Sequence, residues 1–268
     1  MKDLKNIRCF VLDMDGTIYL GNKLFDFTPG FLDKVKETGR DFVFFTNNSS
    51  KNAAAYIEKL HKMGIEIAPD KMLISNEVII EYILREYPGK SVYVIGTELL
   101  KNDFIHAGIK LTEDADLVVL GFDTELVYHK LVVGCDLIRA GKPFLAVNPD
   151  FNCPVETGFI PDCGSMARLI TASTGAVPEF FGKPSRHALE YMIRRIGCSP
   201  SELAVIGDRL YTDIAIACGT DVTSILVLSG ETSETDLASS EFKPDFVVRD
   251  LAELTGVLET ISDKFTFK

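Results

Sequence analysis

The chain has 268 residues, of which 46% are hydrophobic and 25% charged, close to the globular average; this excludes an unfolded chain and a disulfide-stapled miniprotein and allows one large or two moderate domains. Lys and Arg total 28 against 39 Asp and Glu, so the formal charge of -11 disfavours nucleic acid and anionic membrane as partners. Six scattered cysteines make no C-x-x-C pair and no run reaches the ~18 apolar residues of a bilayer span, so reduced thiols and a cytoplasmic location are expected.

The first apolar run, Arg8 to Leu12, ends abruptly in Asp13-Met-Asp15-Gly-Thr17, as a buried parallel strand does when it opens into a loop. A helix is expected from about 29 to 38, with Phe31, Leu32 and Val35 on one face and Gly39 as the stop. Asp41 to Thr46 is again β-prone and runs into Asn47-Asn-Ser-Ser, whose serines are expected to cap a helix carrying Tyr56, Ile57, Leu60 and Met63 on one face. This alternation predicts a doubly wound, mostly parallel α/β sheet.

The rhythm continues in a middle segment, with strands at Ser91–Ile95, Asp116–Leu120 and Pro143–Val147 and helices over Leu126–Ala140 and Gly164–Thr174. Near the end, Ser199-Pro-Ser-Glu202 reads as a capping box ahead of the strand Leu203–Gly207, and two more apolar runs follow at 224–228 and 245–248. The expected organisation is a core of residues 1–78 plus 179–268 with an inserted α/β domain over 79–178. The chemically loaded loops lie on both sides of that insertion, which is why it reads as an insertion and not a tail.

Four clusters carry the chemistry: Asp13-Met-Asp15-Gly-Thr17, Thr46-Asn47-Asn48, Gly182-Lys183-Pro184 and Gly207-Asp208 with Asp213 five residues on. Asp and Gly are ordinary turn residues, but D-x-D-G-T arises by chance in only roughly one of several hundred chains of this length, and here it closes the first strand. Carboxylates converging at strand ends repel one another unless a cation sits among them. Hard oxygen ligands without thiolate or imidazole favour Mg²⁺, which commonly shares a substrate phosphate. A carboxylate facing a phosphoryl group is a nucleophile, and a second carboxylate two residues on serves as acid and base.

In order and approximate spacing, the four clusters resemble the signature motifs of the haloacid dehalogenase superfamily. The long insertion, with Asn148-Pro-Asp150 and Gly164-Ser165 ahead of Gly-Lys-Pro, resembles its NagD-like or p-nitrophenylphosphatase-like subgroup, which carries a large α/β cap. The resemblance implies Asp13 as nucleophile and metal ligand, Asp15 as acid/base with its backbone carbonyl on the metal, Asp208 as a further ligand and Asp213 as an outer residue. It implies Thr46, Asn47 and Lys183 around the phosphoryl group and Asn148 and Asp150 as specificity residues of the cap. The implied activity is Mg²⁺-dependent hydrolysis of small phosphomonoesters, such as sugar phosphates or nucleotides, by a monomer or homodimer. A phosphotransferase or mutase with the same nucleophile, and a non-enzymatic sensor of a phosphorylated metabolite, are the alternatives.

Overall fold

A computed structural model describes residues 2–155 and 157–263. In chain order it runs through β1 (Cys9–Leu12), the short strands β2 (Tyr19–Leu20) and β3 (Lys23–Leu24), α1 (Thr28–Glu37), β4 (Asp41–Thr46), α2 (Ala53–Lys62) and β5 (Met72–Ile74). There follow α3 (Ser75–Glu86), β6 (Val92–Ile95), α4 (Glu98–His106), β7 (Leu117–Leu120), α5 (Tyr128–Arg139), β8 (Phe144–Ala146), β9 (Asn152–Val155), β10 (Gly158–Pro161), α6 (Cys163–Thr174) and β11 (Glu179–Phe180). The last third holds α7 (Arg186–Ile196), β12 (Leu203–Gly207), β13 (Thr223–Val227), α8 (Glu234–Ser239), β14 (Phe246–Val248) and α9 (Leu251–Asp263).

The chain forms two compact units. The first comprises the residues up to Phe45, Ile57–Leu73 and those from Leu189 on; the second comprises Thr46–Tyr56 and Ile74–Ala188. Residues 74–78, 179–188 and the loop after β4, expected with the first unit, thus lie in the second. The expected edge at 78/79 falls inside α3.

A six-stranded sheet in the order β14-β13-β12-β1-β4-β5 organises the first unit. Its central strands β1, β12 and β13 are buried at every residue, which is why they read as apolar runs, broken only by Thr223 and Ser224 at the start of β13. β1 is parallel to β12 on one side and to β4 on the other, with Cys9 opposite both Leu203 and Asp41. The chain leaves β1 toward β4 and later returns to β12, so the order reverses beside β1, and the carboxyl ends there form the switch point where open α/β sheets bind ligands. The Asp13 N–H donates to Ile206 O at 2.8 Å, so Asp13 and Asp208 emerge at one sheet edge.

The second unit is built on a parallel four-stranded sheet, β11-β8-β7-β6, and an antiparallel pair, β9-β10. Ile95, Val118, Leu120, Ala146, Cys163 and Ile170 are among the residues of its core. The α/β class and the parallel sheets match the sequence expectation. The capping expectation for Ser49 and Ser50 does not hold: Asn52 Oδ1 accepts the Ala55 N–H at 2.9 Å and caps α2, while Ser49 donates to Asn148 Oδ1 at 3.1 Å. The helix starts one residue beyond Asn52, too far for the serines to reach its open N–H groups. The β9-β10 pair escapes sequence reading because both strands carry proline and β10 is exposed throughout.

Candidate active site

In the first unit, Asp13 follows β1, Asp208 follows β12, and Asp213 sits in a π-helical turn at Leu210–Ile214, a local widening common at functional positions. One carboxylate oxygen from each of the three lies within 4.8 Å of the others. Asp208 is only 2% exposed and its acidity is strongly weakened, first by burial and then by the charges of Asp13 and Asp213. Its Oδ2 accepts the Glu231 N–H, while its Oδ1 is buried without a hydrogen-bond partner.

Three glycines bring this about. A Cβ on Gly16 would meet Asp208 Oδ2 at 2.3 Å, and one on Gly230 would meet it at 2.0 Å. A Cβ on Gly207 would lie 2.2 Å from the Asp213 carboxyl carbon. Gly16 also has a φ of +86°, which strains any side chain. Backbone therefore closes around the carboxylates of Asp208 and Asp213, while Asp13 is only partly buried. A buried, orphaned carboxylate oxygen among like charges and hard oxygen donors fits a divalent cation, which would be held by Asp13, Asp208 and Asp213.

Asp15 stands on the loop after β1, where its backbone bridges to Tyr19 and its Oδ2 accepts the Tyr19 hydroxyl at 3.2 Å. Its side chain is not among the three clustered carboxylates. The loop is tied at its far side by Ser229, whose hydroxyl donates to Gly16 O at 2.7 Å. Glu231 in turn meets Arg209 Nε at 2.9 Å and accepts from the Tyr211 hydroxyl at 3.0 Å. Ser229, Gly230 and Glu231 thus hold both the Asp15 loop and Asp208, a role absent from the sequence reading. The only cue was a Ser-Gly pair directly after a strand.

In the second unit Thr46 ends β4, and Asn47 directly after it lies beside the Lys183 main chain. Thr46 and Asn47 are 4% and 6% exposed and Lys183 is 2% exposed. Asn47 Oδ1 accepts the Lys183 N–H at 2.7 Å and its Nδ2 donates to Lys183 O at 2.8 Å. A Cβ on Gly182 would press on Asn47 Oδ1 at 2.6 Å, so the close approach requires glycine there. Asn148 and Asp150 are both buried: Asn148 donates to Asp150 Oδ2 at 2.9 Å and to Asp162 Oδ1 at 3.1 Å, and Asn47 donates to Asp150 Oδ2 at 2.8 Å. Cys153 and Cys163 are free buried thiols.

The chain belongs to the haloacid dehalogenase superfamily of hydrolases. The haloacid dehalogenase-like hydrolase model matches residues 10–110 and a second HAD-like model matches residues 180–254. The sequence is 33% identical over 258 residues to an acid sugar phosphatase of Staphylococcus epidermidis, covering 96% of this chain and all of that one. The fold is similar to a 4-nitrophenylphosphatase of Thermotoga maritima, with a TM-score of 0.91 and 41% identity over 95% of this chain and 98% of that one. It is also similar to a glycerol phosphate phosphatase of Mycobacterium tuberculosis in complex with calcium, with a TM-score of 0.86 and 27% identity over 95% and 76% of the two chains. Within the superfamily these relatives define the NagD-like, p-nitrophenylphosphatase-like subgroup, and the chain is an enzyme of that phosphatase class. Among the described residues, no helix is long and apolar enough to cross a membrane.

Proposed function

We propose that the chain is a Mg²⁺-dependent phosphatase of small phosphomonoesters, with sugar phosphates as the leading substrate class. The observation that carries this reading is the cluster of Asp13, Asp208 and Asp213 with its unpartnered Asp208 oxygen at the sheet switch point. The relatives named for sugar phosphate and glycerol phosphate support the substrate class. When bound, Mg²⁺ offsets the charge of the carboxylates and of the phosphoryl oxygens.

In the proposed reaction an Asp13 oxygen attacks phosphorus while the bond to the leaving oxygen breaks, and Asp15 gives that oxygen a proton. Asp15 then takes a proton from water as the water attacks the aspartyl-phosphate, which releases inorganic phosphate and restores Asp13. The Tyr19 hydroxyl on Asp15 Oδ2 holds this carboxyl in one orientation through both half-reactions. Thr46 and Lys183 contribute a hydroxyl and a cation to the transferring phosphoryl group, and the inserted unit reads the leaving group.

The test is phosphate release from p-nitrophenyl phosphate and from a panel of sugar phosphates, glycerol phosphate and nucleotides, first in Mg²⁺ and then in chelator. Metal-dependent release, highest among the sugar phosphates, is expected. Binding of a panel member in Mg²⁺ with no phosphate released from any would overturn the reading.

A further inference from the structure

Asn47 stands in a motif expected to touch phosphate, and its side chain has a countable capacity. A carboxamide offers two N–H donors and two acceptor lone pairs. Its Nδ2 donates to Asp150 Oδ2 and to Lys183 O, each at 2.8 Å. Its Oδ1 accepts from Lys183 N at 2.7 Å and from Ser75 Oγ at 2.9 Å. All four positions are taken by protein, and the residue is 6% exposed.

The pattern of partners matters as much as the count. Two of the four bonds grip the N–H and the C=O of one residue, Lys183, in the way a neighbouring strand would. The other two anchor the carboxamide from opposite sides, through Ser75 at the start of α3 and Asp150 in the loop after β8. Asp150 is itself fixed by Asn148, which also bonds Asp162 and Ser49. Gly182 removes the side chain that would otherwise push Asn47 Oδ1 away from the Lys183 N–H.

We infer that the Asn47 carboxamide is a positioning group that latches the Lys183 main chain, and that it is not a ligand of the phosphoryl group. This inference rests on the proposed function for the role of Lys183, but the latch itself is a property of the folded chain. A displacement of about 1 Å in a group that binds the reacting phosphate costs on the order of 10²-fold in rate. The carboxamide therefore acts on turnover only through Lys183, and its loss has no effect once the lysine ammonium is gone.

The experiment is a double-mutant cycle on kcat/KM with Asn47→Ala, Lys183→Ala and the pair, together with hydrogen exchange of the peptide spanning Lys183 in wild type and Asn47→Ala. Removing Lys183 is expected to cost about 10²–10³-fold and removing Asn47 about 10²-fold, with the double variant no worse than Lys183→Ala alone. The Lys183 peptide is expected to exchange faster in Asn47→Ala while the melting transition stays cooperative. Losses that multiply, to roughly 10⁴-fold or beyond in the double variant, overturn the inference, because a direct phosphate contact by Asn47 would act beside the lysine. Unchanged exchange at Lys183 overturns it as well. Full turnover in Lys183→Ala counts against the proposed role of that lysine, and the exchange measurement then decides the latch by itself. Should Asn47→Ala fail to fold, Asn47→Ser takes its place in both measurements with the same outcomes.

Discussion

Asp208 in the first unit and Asn47 in the second are both almost wholly buried, at 2% and 6% exposure, and both follow strands of a parallel sheet. Glycine admits each: Gly16 and Gly230 close around Asp208, and Gly182 around Asn47. Their surroundings are opposite. Asp208 faces the charges of Asp13 and Asp213 and keeps one oxygen unpartnered, whereas every donor and acceptor of the Asn47 carboxamide is matched. A buried carboxylate crowded by its own kind needs a proton or a cation to offset its charge, and a saturated carboxamide requires nothing. In the proposed reading one loop is a binding device and the other a brace, although both read as polar residues after a strand.

The largest effect that separates them is on chemistry. Asp13→Asn keeps the size of the side chain but removes the nucleophilic oxygen charge, and turnover is expected to fall by about 10⁴-fold or more, since single removals of a nucleophile reach that scale. Steady-state phosphate release checks this, with melting to show that the variant is folded. Retained turnover would erase the distinction by making the acidic cluster structural.

A second test asks what happens when the second unit loses a cation of its own. Asp123 is fully buried there and is paired with Lys130 Nζ at 2.8 Å, and the same ammonium donates to Gly96 O at 3.0 Å and Glu125 O at 3.1 Å. Lys130→Ala converts Asp123 into a buried, uncompensated charge. A loss of about 3–5 kcal/mol is expected in chemical denaturation, with partial recovery when Asp123→Asn is added. Here the chain supplies internally what Asp208 leaves open.

Much of this was legible in the sequence because it is local. Asp13 and Asp15 close an apolar run, Asp208 closes another, and parallel strands put such ends at one edge, so the meeting of Asp13 with Asp208 follows from strand patterning. The place of Asp213 in the same cluster was expected only as an outer position, because a π-helical turn, and not an ordinary helix, carries it inward. The bracing role of Asn47 had no local sign. Its partners Asp150 and Lys183 lie 103 and 136 positions away, and an asparagine has the same letter whether it faces a ligand or the protein. The clamp of Ser229, Gly230 and Glu231 was hidden for a related reason: two of its bonds go from or to backbone atoms, which sequence motifs do not specify.

Asp208→Asn tests the first unit's side of the contrast without chemistry. Deleting one of three clustered charges relieves repulsion in the metal-free protein, so melting in chelator is expected to rise, by about 1–3 kcal/mol in stability. The stabilisation that wild type gains from added Mg²⁺ should shrink at the same time, because one ligand is gone. A variant less stable than wild type in chelator would mean that the carboxylates are already compensated within the fold.

The smallest effect concerns the two ends of β1 itself. At its far end Asp13 concentrates charge, but at its start the core excludes it: Cys9 is 1% exposed and its thiol is pushed up to about 12, chiefly by burial and next by the Asp41 carboxylate across the neighbouring strand. Burial likewise pushes the Cys163 thiol up within the core of the second unit. The thiolate is the reactive form, and a raised value means less of it at any pH below that value; at pH 8 only about one Cys9 in 10⁴ is ionised. Native labelling with iodoacetamide at pH 8, read by peptide mass mapping, should therefore modify exposed Cys218 and leave Cys9 and Cys163 intact until denaturant is added. Early modification of Cys9 would show that the sheet interior opens at the start of β1. Asp13, at the other end of the strand, is already partly exposed, so labelling of Cys9 reports on the interior of the sheet and not on the acidic cluster.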